Sequence, residues 1–426
     1  MREPLYKSRR VAPDAARFGA TRINDFILQC EAFSNSYLLQ TAEGNVQVNA
    51  GMGLEAPVIA RSFAEYTRDP LRYLILTQGH VDHVGGVQYF RDQHPGLCVL
   101  AQAGNPEHQA YDGRLAEFRA ARSAFAFAHK FSEVMAYYAA QGYRDYPAQD
   151  APVPDVLVRE SYSLALGDLK LELLAVPGAE TNDSLIVWLP QQRICLTGNL
   201  FGCPFGHFPN LFTIRGDRYR DPLVVAAAVQ RVLDLEPEMI LYGHHEPVTG
   251  AGVIREELTV LRDAILYVHD ATVAGMNAGA DVYSLMRDIR LPQELEVGQG
   301  YGRVDWGVRA IWEYYAGWFK HRSTTELYGL DPDSINADLL ALAGMPALVD
   351  RAGQRLREGQ PVAALALLDI VLHQSDYGPA LELAIAAHRE LLRESDNFWL
   401  DSWLRAQLAQ LGERLAGIAP GGEENL

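Results

Sequence analysis

The segment YLILTQGHVDHVGGV constrains the fold of this chain more than any other. An apolar strand from Tyr73 to Leu76 precedes a polar turn with His80, Asp82 and His83, and a diglycine then begins a helix. Imidazole nitrogens and carboxylates at strand ends and turns commonly hold zinc or a similar divalent ion. The same residues could merely lie in a loop, but strand, turn, ligand cluster and diglycine follow one another in the order expected of a metal site.

The first 250 residues alternate short apolar runs with helical stretches. The strand candidates are SYLLQTA, VQVNAG, YLILTQG, CVLAQAG, LKLELLAVPG, SLIVWLP, RICLTGN and EMILYGH. Helices are predicted between several of them, including one long helix from about Pro106 to Gln141. Strands separated by helices indicate a layered α/β domain.

Amphipathic helical patterns follow Gly250 almost without strand signals. A chain of 426 residues also favours two or three domains. We therefore predict an α/β domain over residues 1–250, an all-helical domain over 251–415 and a polar tail over 416–426.

Composition restricts the partners and the location. The formal net charge of −17 disfavours a nucleic-acid or anionic-membrane partner, which would require a basic face. The polar amino terminus and the lack of an apolar run of roughly 18 residues predict a soluble, cytoplasmic protein. The four cysteines are widely spaced without a CxxC pair, and we expect them to be reduced.

The strand, the ligand-bearing turn and the diglycine together resemble the metal-binding signature HxHxDH of the metallo-β-lactamase superfamily. Its fold is a four-layer αββα sandwich, which we expect here. His80, Asp82 and His83 match three positions of the signature, but Gln78 stands where the first histidine is expected.

Later segments resemble the alkylsulfatase branch of that superfamily. LLAVPGAETNDSLIVWLPQQRICLTGN is similar to its middle motifs, which implies Glu180 as a ligand and puts Asn199 where the branch has a bridging carboxylate. EMILYGHHEP is similar to the last ligand motif and implies His244, or alternatively His245. In VQVNAG, Asn49 replaces an Asp that commonly supports the site.

Two segments of the same branch concern the substrate. HFPNLFTIRGDRYRDP resembles the stretch whose Asn and Arg bind sulfate, which carries over to Asn210 and Arg215. The arginine could instead pair with Asp217 or Asp221. RSAFAFA resembles a segment that contributes a Tyr to the sulfate pocket, where this chain has Phe125, although an aromatic helical stripe is also consistent with ordinary core packing.

The segment YGRVDWGVRAIWEYYAGWF resembles the start of the alkylsulfatase dimerisation domain, so the resemblance spans roughly Tyr37 to Leu411 and implies a homodimer. Many members continue into a sterol-carrier-like domain that holds an aliphatic chain. We expect that domain to be absent here, which disfavours detergent-length substrates.

The substitutions at Gln78 and Asn199 affect the implied two-ion centre. An amide oxygen is a neutral, weak donor for zinc, and the loss of a bridging carboxylate removes charge that would offset two dications. Asp82, His83 and His244 form a complete set with an open fourth position. We therefore predict one zinc or other divalent ion, or two with one loosely held.

The leading hypothesis is hydrolysis of a sulfate ester or related anionic ester of a small organic alcohol. A water molecule on the metal would be the nucleophile, with Asp82 and Glu180 as catalytic residues and Glu180 as general base. A non-hydrolytic elimination or cyclisation in a biosynthetic pathway is the alternative. A non-catalytic metal-binding or anion-binding scaffold is a third reading.

Overall fold

The apolar runs of the first 250 residues form two β-sheets. The computed structural model of the protein describes residues 4–7, 19–144, 146–212 and 214–418. Within these residues, the first sheet contains β1 (Thr21–Arg22), β2 (Ile27–Cys30), β3 (Ser36–Thr41), β4 (Gly44–Val48), β5 (Leu71–Ile75), β6 (Cys98–Gln102) and β7 (Val156–Val158), side by side in chain order. Strands β1 to β4 pair antiparallel, and β4 to β7 pair parallel.

The second sheet has the strand order β13-β12-β11-β10-β9-β8. Its strands are β8 (Ser161–Leu166), β9 (Leu169–Ala175), β10 (Leu185–Leu189), β11 (Ile194–Gly198), β12 (Met239–Tyr242) and β13 (Val248–Thr249). Strands β11 and β12 pair parallel, and their other neighbours pair antiparallel. All eight strand candidates of the sequence analysis are found in the two sheets.

Helices fill the connections between these strands. They are α1 (Ala56–Ala64), α2 (Val81–Val84), α3 (Val87–Gln93), α4 (Asn105–Arg114), α5 (Ala116–Ala140) and α6 (Pro222–Leu235). The later helices are α7 (Ala251–Asn277), α8 (Val282–Asp288), α9 (Val304–Ala316), α10 (Asn336–Ala343), α11 (Met345–Arg357), α12 (Pro361–Leu372), α13 (Gly378–Glu394) and α14 (Phe398–Gly417). The single long helix predicted from Pro106 is wrong, because the backbone leaves helical geometry at Leu115 and separates α4 from α5.

Strand β10 shows how the sheets are layered. Leu185, Val187 and Leu189 point into the core between the two sheets, whereas Ile186 and Trp188 join the core that packs against α6 and α7. Successive side chains of a strand point to opposite faces, and a strand buried on both faces is apolar throughout. Residues of α1, α3 and α5 form a third core on the outer face of the first sheet. The predicted αββα sandwich followed by helices is therefore confirmed.

The carboxyl ends of four strands place the candidate site at one edge of the sandwich. The turn with Asp82 and His83 follows β5, and Asn49 follows the parallel neighbour β4. In the second sheet, Asn199 follows β11 and His244 lies two residues beyond the parallel neighbour β12. Turns that follow parallel neighbours lie close together, so residues distant in sequence meet there.

The chain divides into two compact units, residues 1–315 and 316–426. In the larger unit, α7 packs against α6. In the smaller unit, α11 to α14 share a separate apolar core. The domain bounds 1–250 and 251–415 remain predictions.

None of the helices within the described residues is both long and apolar enough to cross a membrane.

Candidate active site

Asp82, His83 and His244 form a cluster suited to a metal ion. The helix α2 presents the first two side chains, and the loop after β12 presents the third. The Asp82 Oδ2 atom lies 3.6 Å from His83 Nε2 and 3.8 Å from His244 Nε2, and the three ligand atoms lie within 4.8 Å of one another. Ligands at roughly 2.0–2.2 Å from one zinc ion stand about 3.4 Å apart in tetrahedral geometry. The cluster therefore fits a single divalent ion.

A hydrogen-bond chain orients the His83 ring. Thr77 donates its hydroxyl to Asn49 Oδ1 at 3.0 Å, and its Oγ1 lies 3.4 Å from His83 Nδ1. The oxygen therefore accepts the Nδ1 proton, which leaves Nε2 as the ligand atom. Asn49 also accepts from the Thr77 backbone at 3.0 Å, so an amide at this position performs the supporting role of the expected Asp.

Burial determines the charge states of these ligands. Desolvation lowers the pKa of His83 and lowers that of His244 to about 3, although Asp82 opposes the change in both. Burial alone would raise the pKa of Asp82, but the neighbouring histidines lower it below its usual value. The set thus consists of neutral imidazoles and a carboxylate, which are the forms that bind a metal.

His245 and Asn199 border this cluster without belonging to it. The His245 ring centroid lies 6.2 Å from that of His244, and the His245 carbonyl accepts hydrogen bonds from Gln29 and Asn35. Asn199 Nδ2 lies 3.2 Å from His83 Nε2, and its buried Oδ1 has no hydrogen-bond partner among the described residues. An orphaned amide oxygen beside the cluster is the type of atom that a bound cation would satisfy.

Gln78, His80 and Glu180 lie outside the cluster, and each contacts other protein groups. Gln78 Nε2 lies 2.8 Å from His80 Nδ1, while its Oε1 accepts the Asn199 backbone N–H at 3.0 Å. Glu180 Oε1 forms a 3.1 Å ion pair with Arg220. Burial raises the pKa of the Glu180 carboxyl to about 7, although Arg220 favours its ionised form.

The Asp217 carboxylate lies among three arginines and His80, and we call this group the Asp217 cluster. The Asp217 Oδ2 atom lies 3.6 Å from Arg220 and 3.7 Å from Arg119, Arg215 and the His80 Nε2. These groups outweigh the desolvation of Asp217 and hold its pKa well below the usual range. Burial lowers the pKa of His80 to about 4, with Asp217 opposing and Arg215 adding to the shift.

Of the three candidate substrate residues, Arg215 belongs to the Asp217 cluster and Asn210 contacts it. Asn210 is buried, and its carbonyl accepts a hydrogen bond from Arg220. Arg215 does pair with Asp217, as the alternative interpretation allowed, but in a largely enclosed position. Phe125 is half-buried on α5. The same helix contacts the loop that contains Arg215, because Arg122 Nε donates a hydrogen bond to the Ile214 carbonyl at 3.0 Å.

Sequence reasoning missed two residues of the site besides Thr77. Arg220 lies in the quoted segment RGDRYRDP, where only the first arginine was assigned a role. Tyr301 was assigned to the dimerisation segment, yet its phenol interacts electrostatically with Arg215, Glu180 and Asp82, and burial raises its pKa. Arg220 stands alone before the N-cap of α6, and Tyr301 lies in a glycine-rich turn. Neither residue has a neighbouring sequence pattern that would predict its place in the site.

Comparisons with known proteins identify the superfamily of the chain. Residues 31–244 match the metallo-beta-lactamase superfamily, and residues 283–411 match the alkyl sulfatase dimerisation family. A linear primary-alkylsulfatase of a Pseudomonas species is 26% identical over 328 residues, which are 72% of this chain and 60% of that protein. The alkyl/aryl-sulfatase BDS1 of Saccharomyces cerevisiae is 24% identical over 367 residues, which are 82% of this chain and 56% of that protein.

A solved structure also shares the fold. The inverting sec-alkylsulfatase Pisa1 from Pseudomonas superposes with a TM-score of 0.78 at 17% identity, over 94% of this chain and 66% of that chain. The chain thus spans about 60% of the length of its first-named sequence relative. Because the superfamily match covers half of the sequence, the protein belongs to the metallo-beta-lactamase superfamily, and residues 283–411 beyond that match are similar to the alkyl sulfatase dimerisation family.

Proposed function

We propose that this protein is a metal-dependent hydrolase that cleaves a sulfate ester, or a related anionic ester, of a small organic alcohol. The cluster of Asp82, His83 and His244 carries the proposal, because it is a complete catalytic ligand set beside a largely enclosed arginine. The two sequence relatives are described as sulfatases, which favours hydrolysis over the elimination or cyclisation that the sequence left open.

In the proposed reaction, the metal ion activates water and the side chains of the site bind the substrate and accept a proton. A divalent ion in the cluster would lower the pKa of a water molecule and polarise the ester oxygen. Zinc suits two imidazoles and a carboxylate. Arg215 would bind the anionic group of the substrate through forked N–H donors, and the Asn210 side chain is a second candidate for this contact. Glu180 is the candidate general base, since its raised pKa of about 7 is near neutral pH.

Hydrolysis is tested on alkyl and aryl sulfates, phosphates and carboxylic esters, with chelated and metal-reconstituted protein. Sulfate release that disappears on chelation and returns with zinc is expected. Asp82→Asn should lower both metal content and the rate by at least about a hundredfold, because it removes one of three ligands. The matched control is Asp92→Asn on the surface of α3. Absence of metal-dependent release from every ester would refute the proposal.

Product analysis in heavy-oxygen water separates hydrolysis from the non-hydrolytic alternative. Hydrolysis places one solvent oxygen in either the alcohol or the sulfate. Products without solvent oxygen would support elimination or cyclisation instead.

We propose further that the protein acts as a homodimer in the cytoplasm. The dimerisation match over residues 283–411 supports the first part. The four cysteines form no disulfide, which agrees with a reducing compartment.

A further inference from the structure

One half of the site contains Gln78, His80 and Glu180. Polar atoms that could bind a metal ion contact other protein groups in this half. The Gln78 amide spans the His80 ring at 2.8 Å and the Asn199 backbone at 3.0 Å, so both of its polar atoms have partners. Glu180 Oε1 is paired with Arg220 at 3.1 Å. A metal ion that used the Gln78 amide or Glu180 Oε1 as a ligand would therefore compete with these contacts.

Arg220 is fixed in this position by several contacts. Its Nε donates to the Glu180 carbonyl at 2.7 Å, and its Nη1 donates to the Asn210 carbonyl. Its backbone N–H also donates to the Leu211 carbonyl at 2.8 Å. The side chain is buried, hydrogen-bonded through Nε and Nη1, and ion-paired through Nη2. Arg220 is therefore part of the site and not a surface arginine that could move aside.

A second guanidinium faces the other ligand-type atom of this half. Arg215 Nη2 lies 3.5 Å from His80 Nε2, the nitrogen that a metal ion would use. The guanidinium groups of Arg215 and Arg220 therefore border the position where the alkylsulfatase branch has a metal ion. A divalent cation at that position would be repelled strongly by these positive charges, because the site is desolvated.

We infer that Arg220, together with Arg215, supplies the positive charge that a second metal ion would supply, and that this half of the site holds no metal. The inference rests on the proposed single-ion centre at Asp82, His83 and His244, but it does not depend on which ester is cleaved. It makes Arg220 the residue that determines metal stoichiometry, through its ion pair with Glu180.

Metal stoichiometry of purified, zinc-equilibrated variants tests this inference. The wild type and Arg220→Lys should each bind one ion, since Lys keeps the positive charge. The double variant Gln78→His/Asn199→Glu restores the expected ligands but should still bind one ion, because Glu180 remains paired. Adding Arg220→Gln releases Glu180, and this triple variant should bind two ions, measured by elemental analysis and calorimetric zinc titration.

Arg119→Gln provides the matched control. Arg119 lies 3.7 Å from Asp217, much as Arg220 does at 3.6 Å, but among the described residues its ion pairs are with Asp112 and Asp217. The triple variant that carries Arg119→Gln in place of Arg220→Gln should therefore bind one ion.

Two tightly bound ions in the wild type or in the double variant would overturn the inference. A single bound ion in a folded triple variant with Arg220→Gln would overturn the inference as well. If that variant fails to fold, the number of ions bound by the double variant still tests the inference. Absence of any bound ion in the wild type would instead refute the proposed function, so the two failures are distinguishable.

Discussion

The hydroxyl of Thr77, outside the candidate ligand set, is expected to control the metal affinity of the candidate site. It accepts from His83 while donating to Asn49, so Thr77→Val removes the group that sets the ring tautomer. We expect metal affinity to fall roughly ten- to hundredfold, as for other residues that orient metal ligands. Competition with a chromophoric chelator measures this change.

Thr272→Val is the control for that substitution. Thr272 is equally buried, but its hydroxyl bonds to the Val268 carbonyl within α7. If Thr77→Val left the affinity at the control value, the proposed orientation of His83 would be incorrect.

His108 couples folding stability to pH. Its Nε2 lies 3.6 Å from Asp112, its Nδ1 lies 3.7 Å from Asp183 and 2.6 Å from Asn182, and the His80 ring packs at 5.6 Å. Burial opposes protonation, but the carboxylates outweigh it and raise the pKa of His108 to about 9. A histidine whose pKa is raised on folding contributes stability below its unfolded pKa of about 6.5, and that contribution is lost as pH rises toward 9.

We therefore expect the free energy of unfolding of the wild type to fall between pH 6.5 and pH 9. His108→Gln should remove on the order of 2 kcal/mol of that dependence. Urea unfolding of both proteins at several pH values measures it, with the exposed His129→Gln on α5 as control. Parallel curves for His108→Gln and the wild type would contradict the assignment.

At the scale of elements, the diglycine between α2 and α3 permits close packing of the metal-binding turn. A Cβ added at Gly86 would lie 2.5 Å from the Ala50 carbonyl oxygen and 2.6 Å from the Ala56 Cβ. The backbone after β4 and the start of α1 therefore occupy the space that any side chain would need. Gly86 is required by packing and not by an unusual backbone angle.

Gly86→Ala should destabilise the protein by about 1–3 kcal/mol through this overpacking. Gly113→Ala is the matched control, because a Cβ there meets no atom within 4 Å in α4. That variant should be neutral or more stable by about 0.5–1 kcal/mol, as for glycine in a helix interior. Equal thermal unfolding temperatures for the two variants would contradict the packing argument.

At the scale of the whole molecule, the smaller unit exposes apolar side chains that a dimer would cover. Leu342 on α10 is 85% exposed and Val362 on α12 is 67% exposed. Light scattering should give about twice the 47.2 kDa chain mass. Val362→Glu, or the same change at Leu342, should shift the protein toward monomer at low concentration while retaining bound metal, because an introduced charge opposes burial.

Val153→Glu is the control for dimerisation, since Val153 is 80% exposed in the larger unit. A wild-type monomer, or variants that remain dimeric, would contradict this assignment of the interface.

Local sequence was sufficient for those features that depend on short spacings. Asp82 and His83 occupy one turn after an apolar strand, so two of the three cluster residues could be proposed from a short spacing, whereas His80 of the same turn lies outside the cluster. The long helix from Pro106 was predicted incorrectly, because apolar periodicity continues across Leu115 although the backbone does not. The short strand β7 carries too few residues for a period to be recognised.

The sequence by itself determined the sandwich and the helical region and placed Asp82 and His83 in one turn, because strand alternation and turn spacing are local properties. Only the tertiary structure decided which of the remaining polar residues meet. The sequence resemblance implied Glu180 as a metal ligand. In the structure its carboxylate forms an ion pair with Arg220, which lies forty residues later in the sequence. A buried carboxylate pairs with whichever cation the loops bring closest, and chain spacing does not specify that choice.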